Sequence, residues 1–211
     1  MKTYVMIPTY NEKENIGNLI NEILNLRIKN LHIVVAEDNS PDGTWRIVQE
    51  ISKKKNNVHL LLRKKDRGRG SGGRNGFIYC LRHGADVVVE MDADMSHNPK
   101  YIPLMLKELK NADLIIGSRR VKGGKDIGRN RFRRFVTWGA NLYITIMLGI
   151  KVKDCNSGYR CFKRKVLEKI NLNKIKSKGP SIVQEVLFKA HLKGFKIREI
   201  PITFINRTKG H

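Results

Sequence analysis

The chain reads as an α/β protein, a mostly parallel sheet with helices on both faces. Two observations predict this. Strand and helix patterns alternate from Tyr4 to Ile116, the order that builds a parallel sheet through helical crossovers. The distinctive polar residues also fall directly after the strands, where open parallel sheets bind their ligands.

The elements follow in order. Tyr4–Ile7 is a strand, and Glu12–Leu26 a helix with Ile16, Leu19, Ile20, Ile23 and Leu24 on one face. His32–Ala36 is a strand, Thr44–Ser52 a helix, Val58–Leu62 a strand and Asn75–His83 a helix. Asp86–Met91 is a strand whose apolar run Val87–Val89 reads as buried. A turn and a helix start follow, with Asn98 placed to cap and Pro99 at the first helical position, and Tyr101–Leu109 reads as a helix. Leu114–Ile116 is the fifth strand. A Gly- and Arg-rich segment then interrupts the rhythm before helices at Phe132–Leu148, Val166–Ile170 and Ile182–Leu192 and a closing strand at Lys196–Phe204. Neither an internal repeat nor a low-complexity linker is visible, so residues 1–211 are expected to form a single domain.

Composition narrows the function classes. The longest mostly apolar stretch, Trp138–Ile150, is shorter than the roughly 20 residues a membrane span requires. The first residues lack a signal-peptide layout. Cys80, Cys155 and Cys161 form no Cys-x-x-Cys pair, which fits a reducing cytosol and indicates neither a disulfide framework nor a zinc site. The formal net charge is +23. It is concentrated between Arg63 and Arg74 and between Arg119 and Arg134. Such arginine-rich clusters suit a phosphorylated substrate, anionic lipid or nucleic acid. Lys53-Lys54-Lys55 reads as a plain solvated surface.

Five strand ends carry polar clusters: Pro8 to Glu12, Glu37 to Gly43, Arg67 to Gly70, Asp92 with Asp94, and Gly117-Ser118-Arg119. Any one would be ordinary loop chemistry. Five on one edge describe a crevice. Ser40-Pro41-Asp42-Gly43 is a turn leading into a helix, whereas Glu37 and Asp38 can accept hydrogen bonds from a base or ribose. Gly68-x-Gly70 is a weak signal, since a flexible basic loop would look the same; it lacks a Walker lysine-serine pair and has the wrong spacing for a dinucleotide fingerprint. Asp92 and Asp94 are the sharpest feature. Carboxylates at i and i+2, where a strand breaks into a loop, can both turn toward Mg²⁺ or Mn²⁺, which take their other oxygens from water and a diphosphate. The plain structural alternative is one Asp closing a strand and another capping a turn.

Several motifs are recognisable together: Pro-Thr-Tyr-Asn-Glu-Lys-Glu-Asn (8 to 15), Glu-Asp-Asn-Ser-Pro-Asp-Gly-Thr (37 to 44), Met-Asp-Ala-Asp-Met-Ser-His-Asn-Pro (91 to 99) and Gly117-Ser118-Arg119. With Gly139-Ala140-Asn141, Asp154 to Arg160 and Glu199 to Arg207, they resemble the dolichyl-phosphate (polyprenyl-phosphate) mannose synthases. These are inverting, metal-dependent glycosyltransferases of GT-A, Rossmann-like fold, and the resemblance runs in order over essentially the whole chain. It implies GDP-mannose as donor, dolichyl or polyprenyl phosphate as acceptor and Mg²⁺ or Mn²⁺ as cofactor. It implies a nucleotide-sugar cradle of Pro8, Tyr10, Glu12, Val35, Glu37 and Asp38. Asp92, Ala93, Asp94, Arg119 and Arg207 would contact the donor. Metal ligation falls on Asp92 and Asp94, with Ser96 where some relatives carry a metal-binding glutamine. The lipid phosphate falls on Arg119, Arg133 and Thr137, the last a Thr in place of the usual Ser. Glu185 occupies a place that is acidic in the family. The final motif normally continues through Gly to a Ser-Lys pair, whereas this chain ends at Gly210-His211. The expectation is therefore a truncated active-site loop, with a membrane-anchoring subunit or a further C-terminal segment as the means of attachment.

The implied catalytic group is Asp92, Asp94, Arg119 and Arg133. A phosphate monoester has a second pKa near about 6, so the acceptor is already largely dianionic and needs no general base. His97 accordingly reads as a loop residue. Arginine clamps would bring an anionic nucleophile up to an anionic donor. The basic segment and the Phe132–Leu148 helix suit a peripheral position on an anionic membrane surface, at the cytosolic face. A UDP-sugar donor is the alternative within this class, and a catalytically dead scaffold lies outside it. A nucleic-acid-binding domain is another reading of the charge. It is not expected, because the basic clusters lack aromatic interleaving and carboxylates sit on the binding edge.

Overall fold

The computed structural model describes residues 1–128 and 131–206, without the side chains of residues 131–135, 137, 140 and 148. The chain order is β1 (Thr3–Thr9), α1 (Ile16–Asn25), β2 (Leu31–Glu37), α2 (Thr44–Lys54), β3 (Val58–Leu62), α3 (Arg69–Arg82) and β4 (Val87–Glu90). It continues with α4 (Ile102–Glu108), β5 (Leu114–Ser118), β6 (Lys125–Ile127), α5 (Arg131–Leu148) and β7 (Arg160–Lys163). It closes with α6 (Arg164–Lys169), α7 (Ile182–Leu192), β8 (Ile197–Pro201) and β9 (Thr203–Ile205).

A seven-stranded sheet has the order β3-β2-β1-β4-β7-β5-β8, and β6 and β9 form a separate parallel pair. All neighbours in the large sheet are parallel except β7, which runs antiparallel to both β4 and β5. Successive residues point to opposite faces of a strand, so the sheet builds two cores. Val5, Ile7, Ile33, Val35 and Val89 pack on one face with Ile16, Leu19, Ile20 and Ile23 of α1 and Val48 of α2. Tyr4, Met6, Val34 and Val88 pack on the other with Phe77 of α3, Val166 of α6 and Leu187 of α7. The expected fold class, helices on both faces of a mostly parallel sheet, is the one observed.

Three local expectations change. β7 was not anticipated: its four residues begin and end with a cation, and it earns strand geometry only from partners on both sides. α3 begins at Arg69 rather than Asn75, so Gly68-x-Gly70 is a helix start and not a flexible loop. Its glycines serve close packing. A Cβ on Gly70 would lie 2.2 Å from the Ser177 carbonyl oxygen, and one on Gly76 would lie 2.6 Å from Met6 Cγ. The closing strand divides at Ile202. Its amide donates to Ser118 O (3.0 Å) and its carbonyl accepts from Lys125 N (2.9 Å), handing the chain from the large sheet to β6.

Candidate active site

The carboxyl ends of β1, β2 and β4 meet the start of α3. A cavity of about 480 Å³ opens there, lined by Pro8, Thr9, Tyr10, Ala36, Asp38, Arg67, Gly68, Arg69 and Gly72. Asp38 holds its wall together. Its carboxylate accepts from the Gly68 amide (2.6 Å) and from Arg63 Nη1. Arg63 Nη2 donates in turn to Ser71 Oγ (2.7 Å). Burial pushes the Asp38 carboxyl above its usual range, while the Gly68 amide, Arg63 and Arg67 pull it back. The end of β2 and the beginning of α3 are thereby fixed together.

Other residues of the expected cradle lie beneath this cavity. Val35 is in the core. Glu37 is fully buried, and its carboxylate accepts from the Ser40 amide (3.0 Å) and hydroxyl. Burial raises its pKa against those hydrogen bonds. Glu12 accepts from Asn15 Nδ2 (2.7 Å), while its amide donates to Thr44 Oγ1 (3.0 Å). Glu12 and Glu37 thus order the loops after β1 and β2.

Beyond β4 the Asp92–Asn98 loop carries the two carboxylates. Asp94 Oδ1 accepts from the Ser96 amide (3.0 Å), and Met95 takes the left-handed conformation that this turn requires (φ 62°). Asp92 Oδ1 accepts from Arg69 Nη2 (3.2 Å), which also donates to Glu90 Oε1 (2.9 Å). Burial opposes the charge on Asp92, but the His97 ring, Arg69 and Arg119 around it hold its carboxyl below the usual range. His97 Nδ1 accepts the Asp92 amide hydrogen (3.2 Å), which places any ring proton of the neutral imidazole on Nε2. Burial lowers the His97 pKa against the pull of Asp92 and Asp94. His97 is therefore more than a loop residue. It is buried, stacks on Tyr159 (5.0 Å) and meets the edge of Phe204 (5.5 Å), joining the carboxylate loop to β9.

These residues fit a divalent cation. Asp92 and Asp94 supply hard oxygens, Ala93 between them is buried, and the Ser96 hydroxyl is buried without a hydrogen-bond partner. Among the described residues no group of three or more His, Cys, Asp or Glu side chains could hold a metal. Mg²⁺ is commonly bound by only one or two carboxylates, with substrate phosphate and water completing its shell.

Arg119, just past β5, makes a two-pronged pair with Asp154: Nε to Oδ2 at 2.8 Å and Nη2 to Oδ1 at 2.7 Å. Asp154 is fully buried. Burial opposes its charge, and Arg119 outweighs burial and keeps it ionised. Its amide donates to Glu199 Oε1 (3.0 Å), and Arg119 lies 5.0 Å from the Phe204 ring centre. Arg133 and Thr137 lie on α5, but their side chains, like Arg207 altogether, are outside the described residues. Glu185 does not reach the crevice. It accepts from the Lys176 (3.1 Å) and Ser177 (2.9 Å) amides, and Lys178 O of that loop accepts from Gly70 N (2.8 Å). Glu185 therefore supports the start of α3 from behind.

Sequence reasoning missed Arg69 and Glu90 as a pair, and the role of the 154–160 turn. An acid at the end of an apolar strand demands a buried cation nearby, which is the signal that could have found Arg69. Gly158 sits against the first aspartate: a Cβ there would lie 3.1 Å from Asp92 Oδ2. Arg160 is fully buried and ties the turn together. Its Nε donates to Ser157 O (2.7 Å) and its Nη2 to Cys155 O (3.0 Å), and burial lowers its pKa to about 10.

The family model "Glycosyl transferase family 2" matches residues 4–171. An undecaprenyl-phosphate mannosyltransferase of Micrococcus luteus is 38% identical over 210 residues, spanning 100% of this chain and 86% of its own. A polyprenol monophosphomannose synthase of Mycolicibacterium smegmatis is 39% identical, spanning 99% of this chain and 79% of its own. A dolichol-phosphate mannosyltransferase of Pyrococcus furiosus is 40% identical, spanning 100% of this chain and 58% of its own. The fold matches glucosyl-3-phosphoglycerate synthase from Mycobacterium tuberculosis, crystallised with Mn²⁺, UDP-glucose and phosphoglyceric acid. The TM-score is 0.70 at 17% identity, covering 96% of this chain and 70% of that one. The chain is a glycosyltransferase of GT-A-like fold that belongs to glycosyl transferase family 2, among the polyprenyl-phosphate mannosyltransferases.

Proposed function

We propose that the protein transfers mannose from GDP-mannose to a dolichyl or polyprenyl phosphate, with inversion at the sugar and with Mg²⁺ or Mn²⁺. The observation that carries this reading is the 38–40% identity, over essentially all of this chain, to three enzymes named for mannosyl transfer to polyprenyl phosphates or for its product. The site chemistry supports it. The 480 Å³ cavity suits the nucleotide, with Pro8, Tyr10 and Asp38 nearest the nucleoside. Asp92, Asp94 and Ser96 would hold the cation, which when bound supplies countercharge to the departing diphosphate. Arg119 would face both anions from its place beside Asp154, and Arg133, Thr137 and Arg207 would complete the phosphate contacts.

The acceptor phosphate attacks as its own anion, so a protein base is unnecessary. His97 supports that view, because its Nδ1 is occupied by the Asp92 amide. What the chain contributes is orientation of two mutually repelling anions.

A peripheral position at the cytosolic membrane face belongs to the same reading. Among the described residues no helix is long and apolar enough to cross a membrane. α5 nevertheless exposes Val136, Trp138, Leu142, Tyr143, Ile146 and Met147, and Arg120 and Lys153 line a cavity with Trp138 and Leu142. Such a face suits the headgroup level, where each Lys or Arg near an anionic surface adds about 1 kcal/mol. Transfer assayed from a panel of GDP- and UDP-sugars to a polyprenyl phosphate, with Mn²⁺ and with EDTA, tests the reading. Turnover confined to GDP-mannose with metal is expected. Turnover with a UDP-sugar alone, or undiminished in EDTA, would overturn it.

A further inference from the structure

The acceptor side carries a cation that neither the motifs nor the relatives assign. Arg119 and Arg120 both line a cavity of about 410 Å³ between the end of β5, α5 and the 152–153 segment, together with Trp138, Asn141 and Lys153. Both also line an adjoining cavity of about 220 Å³ with Asp126 and Trp138. The two arginines differ in state. Arg119 is committed side-on to the buried Asp154 carboxylate, so the pair contributes direction but little net charge. Arg120 is half-buried, and among the described residues its guanidinium has no hydrogen bond or ion pair; only its amide is engaged, to Ser118 Oγ (3.2 Å). A guanidinium stays charged and presents a planar fork suited to phosphate oxygens. Burial pushes its pKa below the ordinary value, and Arg119 adds repulsion against the pull of Asp154 and Asp126. A partly desolvated, unpaired cation in a cavity is stabilised by an anion that enters it.

We infer that Arg120 binds the phosphate monoester of the acceptor directly and supplies the net positive charge that Arg119, neutralised by Asp154, does not. This rests on the proposed acceptor class. The shared chemistry is a phosphate group at a lipid end, which an ordinary anionic headgroup would also present, so the test separates the two.

Binding of a short, water-soluble isoprenyl monophosphate, with the matching alcohol as control, is measured by titration calorimetry for the wild type, Arg120→Gln and Arg120→Lys. GDP binding and the melting temperature report folding. Loss of one charge-assisted contact predicts about tenfold to a hundredfold weaker phosphate binding in Arg120→Gln, with substantial rescue in Arg120→Lys and GDP binding unchanged. Phosphate binding by Arg120→Gln within about twofold of wild type, or none by the wild type, overturns the proposal. Co-sedimentation with anionic vesicles lacking polyprenyl phosphate gives the second arm. Loss of vesicle binding with intact isoprenyl phosphate binding would make Arg120 a headgroup contact and overturn it too. Wild-type protein that binds the isoprenyl phosphate yet transfers no mannose would instead refute the proposed activity and leave the Arg120 assignment standing.

Discussion

The two halves of the crevice are built on different principles. On the α3 side four carboxylates are held: Asp38 by Arg63 and the Gly68 amide, Glu37 by Ser40, Glu90 and Asp92 by Arg69. On the α5 side Arg120 is unpaired among the described residues, and Tyr143, Ile146 and Met147 are 65%, 70% and 64% exposed. The first arrangement is preorganised for one small ligand in one pose. The second presents charge and apolar surface together, as a lipid carrying a phosphate requires. On the proposed assignment, the contrast would have the donor end specified by a hydrogen-bonded lattice and the acceptor end by more open surface.

Breaking the lattice should have the largest effect. Arg69→Leu leaves Glu90 buried beside Asp92 without its cation, which should cost about 3–5 kcal/mol in urea unfolding. Adding Glu90→Leu should recover most of it. A small loss in the single variant would show that the lattice is not under electrostatic tension. Asp94→Asn should lower metal-dependent transfer by about 10²–10³-fold while GDP binding in EDTA persists. Equal loss of both would place Asp94 in the nucleotide cradle instead.

On the other half, Ile146→Ser combined with Met147→Ser should weaken vesicle binding about tenfold and leave transfer to a short soluble acceptor intact. Loss of soluble activity would mean that this face packs rather than docks. The smallest effect belongs to Glu185, whose pKa is lowered to about 2. Burial opposes its charge, but hydrogen bonds from Ser177, Lys189 and Lys176 outweigh it. A depressed carboxyl stabilises the fold above its unfolded pKa, and that contribution fades as pH falls toward the folded value. Glu185→Gln should therefore lose about 1 kcal/mol at neutral pH, with the difference shrinking between about pH 4.5 and 2. A pH-independent difference would contradict the assignment.

Much of this was legible in the sequence, for identifiable reasons. The alternation up to β5 is local information, and α7 spans the predicted Ile182–Leu192. β7 was hidden because antiparallel insertion between β4 and β5 depends on pairing that no local pattern encodes. The start of α3 was hidden because its Gly-rich sequence has poor helix propensity; the close approach of Gly70 and Gly76 to their neighbours rewards it. In the site, Asp92, Asp94, Asp38, Tyr10 and Arg119 stood out because they follow directly after strands. Arg69 with Glu90, 21 residues apart, and Arg119 with Asp154, 35 apart, are partnerships that only the fold reveals.

The most direct test of the account is the anomeric configuration of the product formed from GDP-mannose and a short polyprenyl phosphate with Mn²⁺, read by NMR. Direct attack by the acceptor phosphate predicts mannosyl phosphate of configuration opposite to the donor's, formed without a covalent glycosyl-enzyme. A product that retains the donor configuration would contradict it.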